Sequence, residues 1–153
     1  MTDKIVEVLG GLIVLASWLI AIESYPTLPE VIPIHFDASG TPDGFGSKGN
    51  IFGLPIVSTV IFTALTLLGR VPHLFNYLTE ITPQNARNQY AIATSMIRYL
   101  KLSIVIVFAV IVYFAVQNAK GETDGLGTWL LPTVLALIFL PIVHFLYKSV
   151  RNG

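Results

Sequence analysis

A histidine, two aspartates and a lysine fall within PIHFDASGTPDGFGSK, residues 33 to 48 of an otherwise apolar chain. His35 and Asp37 are two apart, so in an extended segment both side chains lie on one face. Asp43 follows a turn sequence and would return opposite them across a hairpin. One imidazole and two carboxylates suit a divalent metal, zinc or manganese, or acid–base chemistry at a surface. The same residues also serve the backbone, because Asp closes Asx-turns on its own chain. Lys48 would pair with Asp37 or Asp43, an exposed contact contributing no more than about 1 kcal/mol. The spacing leaves these readings open. The chain has no cysteine, which excludes a disulfide, a thiolate metal site and a cysteine nucleophile. It has no HExxH motif, and no cofactor is implied beyond that metal.

The elements that must position this loop are hydrophobic. Charged residues make up 12% of the 153 residues, about half the share usual in a soluble protein, and mean hydropathy is +0.72. Four apolar segments have the length or near-length of a bilayer crossing, about 20 residues. They predict an all-α integral membrane protein: a four-transmembrane-helix bundle in a single membrane domain, residues 1–153. The spans are expected at about 5–24, 51–69, 96–117 and 127–148, with loops over 25–50 and 70–95. The third span requires Arg98 and Lys101 to snorkel to the membrane surface. Glu7 reads as a first-turn carboxylate favoured by the helix dipole, with no partner in view. IESYPTLPE lacks a small-x-small cleavage site, so the first helix is expected to be retained rather than removed as a signal.

Lys and Arg set the expected orientation. The ends of the chain and the second loop carry Lys4, Arg70, Arg87, Arg98, Lys101, Lys148 and Arg151, against Lys48 and Lys120 on the other side. Both termini are therefore expected in the cytoplasm of a multi-pass cell-membrane protein, and loop 25–50 outside. The net charge of zero, with no basic stripe, excludes a nucleic-acid partner.

Within loop 25–50, three prolines in YPTLPEVIPIHFD enforce an extended path, with one helical turn expected at Leu28 to Val31. IPIHF reads as a short strand, and DASG and PDG as turns. These predict a small extracellular β-hairpin between helices 1 and 2, turning near Ala38 to Gly40, with Pro42 at a strand edge and Phe36 and Phe45 anchoring it on the bundle. In the second loop, Pro83 separates a short amphipathic segment from a long helix starting near Gln84, with Thr82 as its N-cap. Pro132 and Pro141 fall inside the fourth span and tend to bend it. His73 and His144 lie toward the opposite side from His35 and belong to no common site with it.

The loop also resembles a family. Pro29, Ile32, Pro33, His35, Phe36, Asp37, Gly40, Asp43, Gly44, Phe45, Gly46, Ser47 and Lys48 match the hallmark of bacterial and archaeal membrane proteins grouped as domain of unknown function 1648. Asn85, Ala86, Gln89 and Tyr90 match the loop after the second helix more loosely. The resemblance implies this fold and topology. It also implies kinship with SdpI-like immunity proteins, longer chains that protect bacteria from a membrane-active peptide toxin and help relay its presence to a regulator.

Three functions follow as expectations, with the enzyme reading weaker than the binding one. In the first, the protein binds an extracellular peptide toxin or envelope ligand through His35, Phe36, Asp37, Asp43, Phe45 and Lys48, in protection or signalling. The lipid bilayer, a cytoplasmic regulator and a second copy of the chain are the other partners this reading admits. In the second, His35, Asp37 and Asp43 serve a metal-dependent membrane enzyme or transporter. A structural partner subunit without activity of its own is the third.

Overall fold

A computed structural model describes residues 2–153, with side chains from Lys4 onward. Helix α1 (Thr2–Ser24) is followed by strands β1 (Val31–Phe36) and β2 (Pro42–Ser47), then by helices α2 (Gly53–Leu68), α3 (Ala86–Ala119) and α4 (Leu130–Arg151). Among the described residues, four helices are long and apolar enough to cross a membrane. The antiparallel β1–β2 pair lies between the first two of them. Outward faces carrying Leu12, Leu19, Val60, Phe139 and Leu140 remain exposed, as expected where lipid rather than protein covers a helix.

Helix α3 is the centre of the assembly. Helices α1 and α2 pack on it and on each other, whereas α4 packs chiefly on α3. Lipid tails are as apolar as leucine, so helices associate in a membrane through close packing and internal hydrogen bonds. Small residues permit the close approach: Ser17, Ala21 and Ser58 are buried. A methyl group on Gly10 would meet the Phe62 ring at 2.7 Å, so α1 and α2 cross here over a bare backbone. Thr59 and Thr66 donate their hydroxyl protons to Pro55 and Phe62 carbonyls one turn back, which pairs both donors in a dry environment; the buried Ser58 hydroxyl has no such partner among the described residues.

Two ends are distinguishable. At the hairpin end, Ile32 of β1 enters a core with Ala21, Leu28, Ile51, Val112, Ala115 and Val116. At the other end, called the base, fully buried Gln89 near the start of α3 ties down the end of α4. Its amide donates to the Ser149 and Asn152 carbonyls, and its carbonyl accepts from the Ser149 hydroxyl at 2.6 Å.

Local details depart from the sequence reading. The helical turn expected at Leu28 to Val31 forms earlier, as a 3-10 turn at Tyr25–Thr27 led by Pro26. Helix α3 begins at Ala86 with Asn85 as N-cap; Thr82 instead exchanges hydrogen bonds with Asn85 from one turn ahead. The segment before Pro83 has one 3-10 turn, Pro72–Leu74, and is otherwise irregular. Because α4 starts at Leu130, Pro132 occupies its first turn, where no N–H is required, and Pro141 is the proline inside the helix.

Candidate functional site

The hairpin is built by its irregularities. Pro33 pairs with Phe45, His35 with Gly44, and Phe36 with Pro42, so Ile34 on β1 and Asp43 on β2 are each left out of one-to-one register. An extra residue on a strand re-aims side chains and breaks the two-residue alternation. His35 and Asp43 meet as a result: Nδ1 of His35 lies 2.5 Å from an Asp43 carboxylate oxygen. Their side chains are 71% and 46% exposed. When Nδ1–H donates to Asp43, Nε2 keeps the lone pair and becomes the acceptor or ligand atom.

Asp37 does not join them. Its carboxylate accepts from the Ser39 amide, the Ser39 hydroxyl and the Thr41 amide, all within 2.6–2.9 Å. The Ser39 hydroxyl, then the turn amides, hold its pKa below the ordinary carboxylate value. The expected metal set of His35, Asp37 and Asp43 is therefore divided: two residues form a pair and the third closes the turn. No group of three His, Asp or Glu residues suited to a metal occurs among the described residues.

The turn is clipped to the rest of the protein. Gly40 adopts φ +82°, and its carbonyl accepts from the Leu126 amide at 2.7 Å in the α3–α4 loop. A Cβ at Gly40 would stand 2.7 Å from the Gly127 nitrogen. Beneath the tip, a cleft of about 390 Å³ runs between β1, α3 and α4, lined by His35, Phe36, Ile111, Leu126 and Leu130.

Two expected roles change. Phe36 packs against the core at the hairpin end, but Phe45 is 62% exposed and lies outside that core. Lys48 pairs with neither aspartate. It bonds Glu30 at 2.9 Å and sits 5.2 Å from the Tyr25 ring centre, bracing the foot of the hairpin.

A second cluster lies at the base, and the sequence reading missed it. Lys101, expected to snorkel outward, is 1% exposed. Its ammonium donates to Glu7 at 2.5 Å and to the Thr66 hydroxyl at 2.6 Å, and it lies 4.3 Å from the Phe62 ring centre. Carboxylate, hydroxyl and aromatic face thus account for its three N–H donors. The Arg98 Nε reaches the other Glu7 oxygen at 3.4 Å. Glu7 therefore has two cationic partners, and α1, α2 and α3 meet in one ionic cluster. The available signal was an acid and a base inside apolar segments, since such residues face the bundle interior and pair with one another.

The ends differ in charge. The hairpin end carries six carboxylates, Glu23, Glu30, Asp37, Asp43, Glu122 and Asp124, against Lys48 and Lys120, a net −4. The base carries the balancing +4.

Comparison with known proteins gives a partial match. Residues 12–59, from the middle of α1 through the hairpin into α2, match the family model described as a domain of unknown function, DUF1648. An uncharacterized protein of Archaeoglobus fulgidus is 40% identical over 67 residues, covering 39% of this chain and 37% of the relative. The chain thus spans little more than a third of that relative's length. No solved structure matches.

Proposed function

Starting from the match of residues 12–59 to that family and from four helices long and apolar enough to cross a membrane, we propose that this protein is a membrane-embedded binding protein. Its hairpin recognises an extended, cationic, amphipathic peptide at the outer face of the membrane, in protection or signalling of the SdpI-like kind. The observation that carries the reading is a hairpin held rigid from three sides that still presents an exposed aromatic. Ile32 and Phe36 fix it below, the Asp37 turn fixes its tip, and the Gly40–Leu126 hydrogen bond fixes it laterally. Phe45 nevertheless points away from the core at 62% exposure.

The chemistry suits such a ligand. A two-stranded sheet has two outer edges that can pair with an added strand. An exposed aromatic on a preorganised support is a common energetic anchor. The net −4 of this end attracts a cationic partner and repels an anionic one. The His35–Asp43 pair adds a charged or hydrogen-bonding contact on the same hairpin. The Lys and Arg excess at the base supports an orientation with both termini in the cytoplasm and the hairpin outside.

The test is a survival assay. Wild type and a His35→Ala/Asp43→Ala/Phe45→Ala triple variant are expressed at matched membrane levels in sensitive bacteria and challenged with cationic membrane-active peptides. Protection is expected from the wild type alone. Equal survival of the two strains, together with no peptide binding to purified wild type, refutes the reading.

A further inference from the structure

The loop between α2 and α3 presents two bare leucines that the hairpin reading does not use. In HLFNYLTE, residues 73–80, Phe75 and Tyr77 turn toward the bundle. Their rings lie 6.4 Å apart, and the Tyr77 ring lies 5.7 Å from that of Tyr90 on α3. The Tyr77 hydroxyl donates to the Pro72 carbonyl at 2.8 Å. Leu74 and Leu78 turn the other way and are 70% and 67% exposed, matching Leu140 on the outward face of α4. Exposed leucines scattered singly over a surface need no explanation. These two share one fixed support, and their depth supplies an explanation.

The loop is not suspended beyond the helix ends. Phe75 and Leu78 border a cavity of about 190 Å³ together with Met96 of α3 and with Phe145 and Leu146 of α4. Phe145 lies six residues before the end of α4 at Arg151, about 9 Å inside it along the axis. Thr79 adjoins Gly153, just past that end. The loop therefore runs beside the last turns of α4, at the level where a spanning helix leaves the hydrocarbon for the headgroups. Aromatic residues mark the same level, as at a membrane interface: Tyr77 and Tyr90 in the loop packing, and Tyr147 exposed on α4. The net +4 of the base suits contact with the anionic surface of a leaflet.

We infer that this loop is an interfacial anchor: residues 73–80 lie along the bilayer surface at the base, and Leu74 and Leu78 insert into the boundary between headgroups and acyl chains. Apolar faces of interfacial segments sit about 5–10 Å into that boundary, the depth that Phe145 assigns to the loop. The backbone here is irregular, and at headgroup level water satisfies the N–H and C=O groups that hydrocarbon would strand.

The chain has no cysteine, so single cysteines can be labelled without removing others. Leu74→Cys, Leu78→Cys, Glu80→Cys and Leu140→Cys are each made in the full chain, labelled with bimane and reconstituted into vesicles of phosphatidylethanolamine and phosphatidylglycerol. Glu80 is an exposed polar residue of the same loop, and Leu140 is the lipid-facing reference. Bimane emission is read against iodide, present on both sides of the vesicle, and against lipids brominated along the acyl chain. At positions 74 and 78 the expected result is a blue-shifted emission, quenching by brominated lipid as at position 140, and loss of the iodide quenching seen at position 80. Iodide quenching at both leucine positions equal to that at position 80 places the loop in water and overturns the proposal. Protection from both quenchers overturns it too, because a protein surface, a second copy or another chain, then covers the leucines. The two positions report separately, so either variant decides the matter if the other fails to fold.

Discussion

Replacing Glu7 with leucine tests whether the base cluster holds three helices together. Lys101 is 1% exposed and relies on Glu7 for its only described counter-charge. Removing the carboxylate leaves a buried ammonium with the Thr66 hydroxyl and the Phe62 ring. Breaking a buried pair from one side costs about 3–5 kcal/mol, because the remaining charge stays desolvated. Glu7 itself is 33% exposed, which argues for the lower end, about 3 kcal/mol. For a chain of this size that corresponds to a fall in melting temperature of about 6–12 °C. Lys101→Met keeps most of the stem volume and leaves Glu7 beside Arg98, so it should cost less, about 1 kcal/mol. The double variant Glu7→Leu/Lys101→Met should return to within about 1 kcal/mol of wild type, since apolar replacement of a buried pair is often close to neutral. Thermal unfolding in detergent, followed by Trp18 and Trp129 fluorescence, gives the cycle directly. If Glu7→Leu is as stable as wild type, or if the double variant loses the sum of the two single losses, the cluster is not a coupled pair and the account of it fails.

Three further outcomes follow from the structure. Gly40→Ala should destabilise the hairpin tip by about 1–3 kcal/mol, because φ is +82° and the added methyl meets Gly127; faster hydrogen exchange at the Leu126 amide reads the lost clip. Asp37 is held below its ordinary pKa of 3.8 by Ser39 and the turn amides, so its stabilising effect is complete above that value and disappears as pH falls through the lower folded-state pKa. The Ser39 and Thr41 amide resonances should shift in that acidic window in wild type but not in Asp37→Asn. Phe36→Ala should cost about 2 kcal/mol because its ring is only partly buried, whereas Phe45→Ala should stay within about 0.5 kcal/mol; a comparable drop in melting temperature for both would show that Phe45 is part of the packing.

The four helices and the hairpin were legible because each rests on local signals. Long apolar runs mark the helices, and DASG supplies the Asx-turn carboxylate and the glycine with positive φ. Side-chain facing was less legible. The strand alternation that put Asp37 beside His35 fails at the residues outside register, Ile34 and Asp43, and nothing in IPIHF signals an irregular pairing. Phe36 and Phe45 look equivalent as aromatic residues flanking a turn, but only Phe36 meets the core, a distinction made by which strand faces α3. Lys48 had an acidic neighbour on either side of the hairpin, and the extended entry to β1 brought Glu30 to it. The base cluster was hidden for a different reason. Glu7 and Lys101 are 94 residues apart, and their contact depends on α1 and α3 running side by side in one particular offset.

Helix α3 contains neither glycine nor proline across its 34 residues, a length of about 51 Å against a hydrocarbon core of about 30 Å. It carries Val112 and Ala115 beneath the hairpin, Lys101 in the ionic cluster and Gln89 at the tail of α4. In mechanical terms it is an axle without a joint. A torque applied at the hairpin would meet no glycine or proline hinge within α3. The contacts that resist such a rotation are those around Lys101 and Gln89, which act as the bearings.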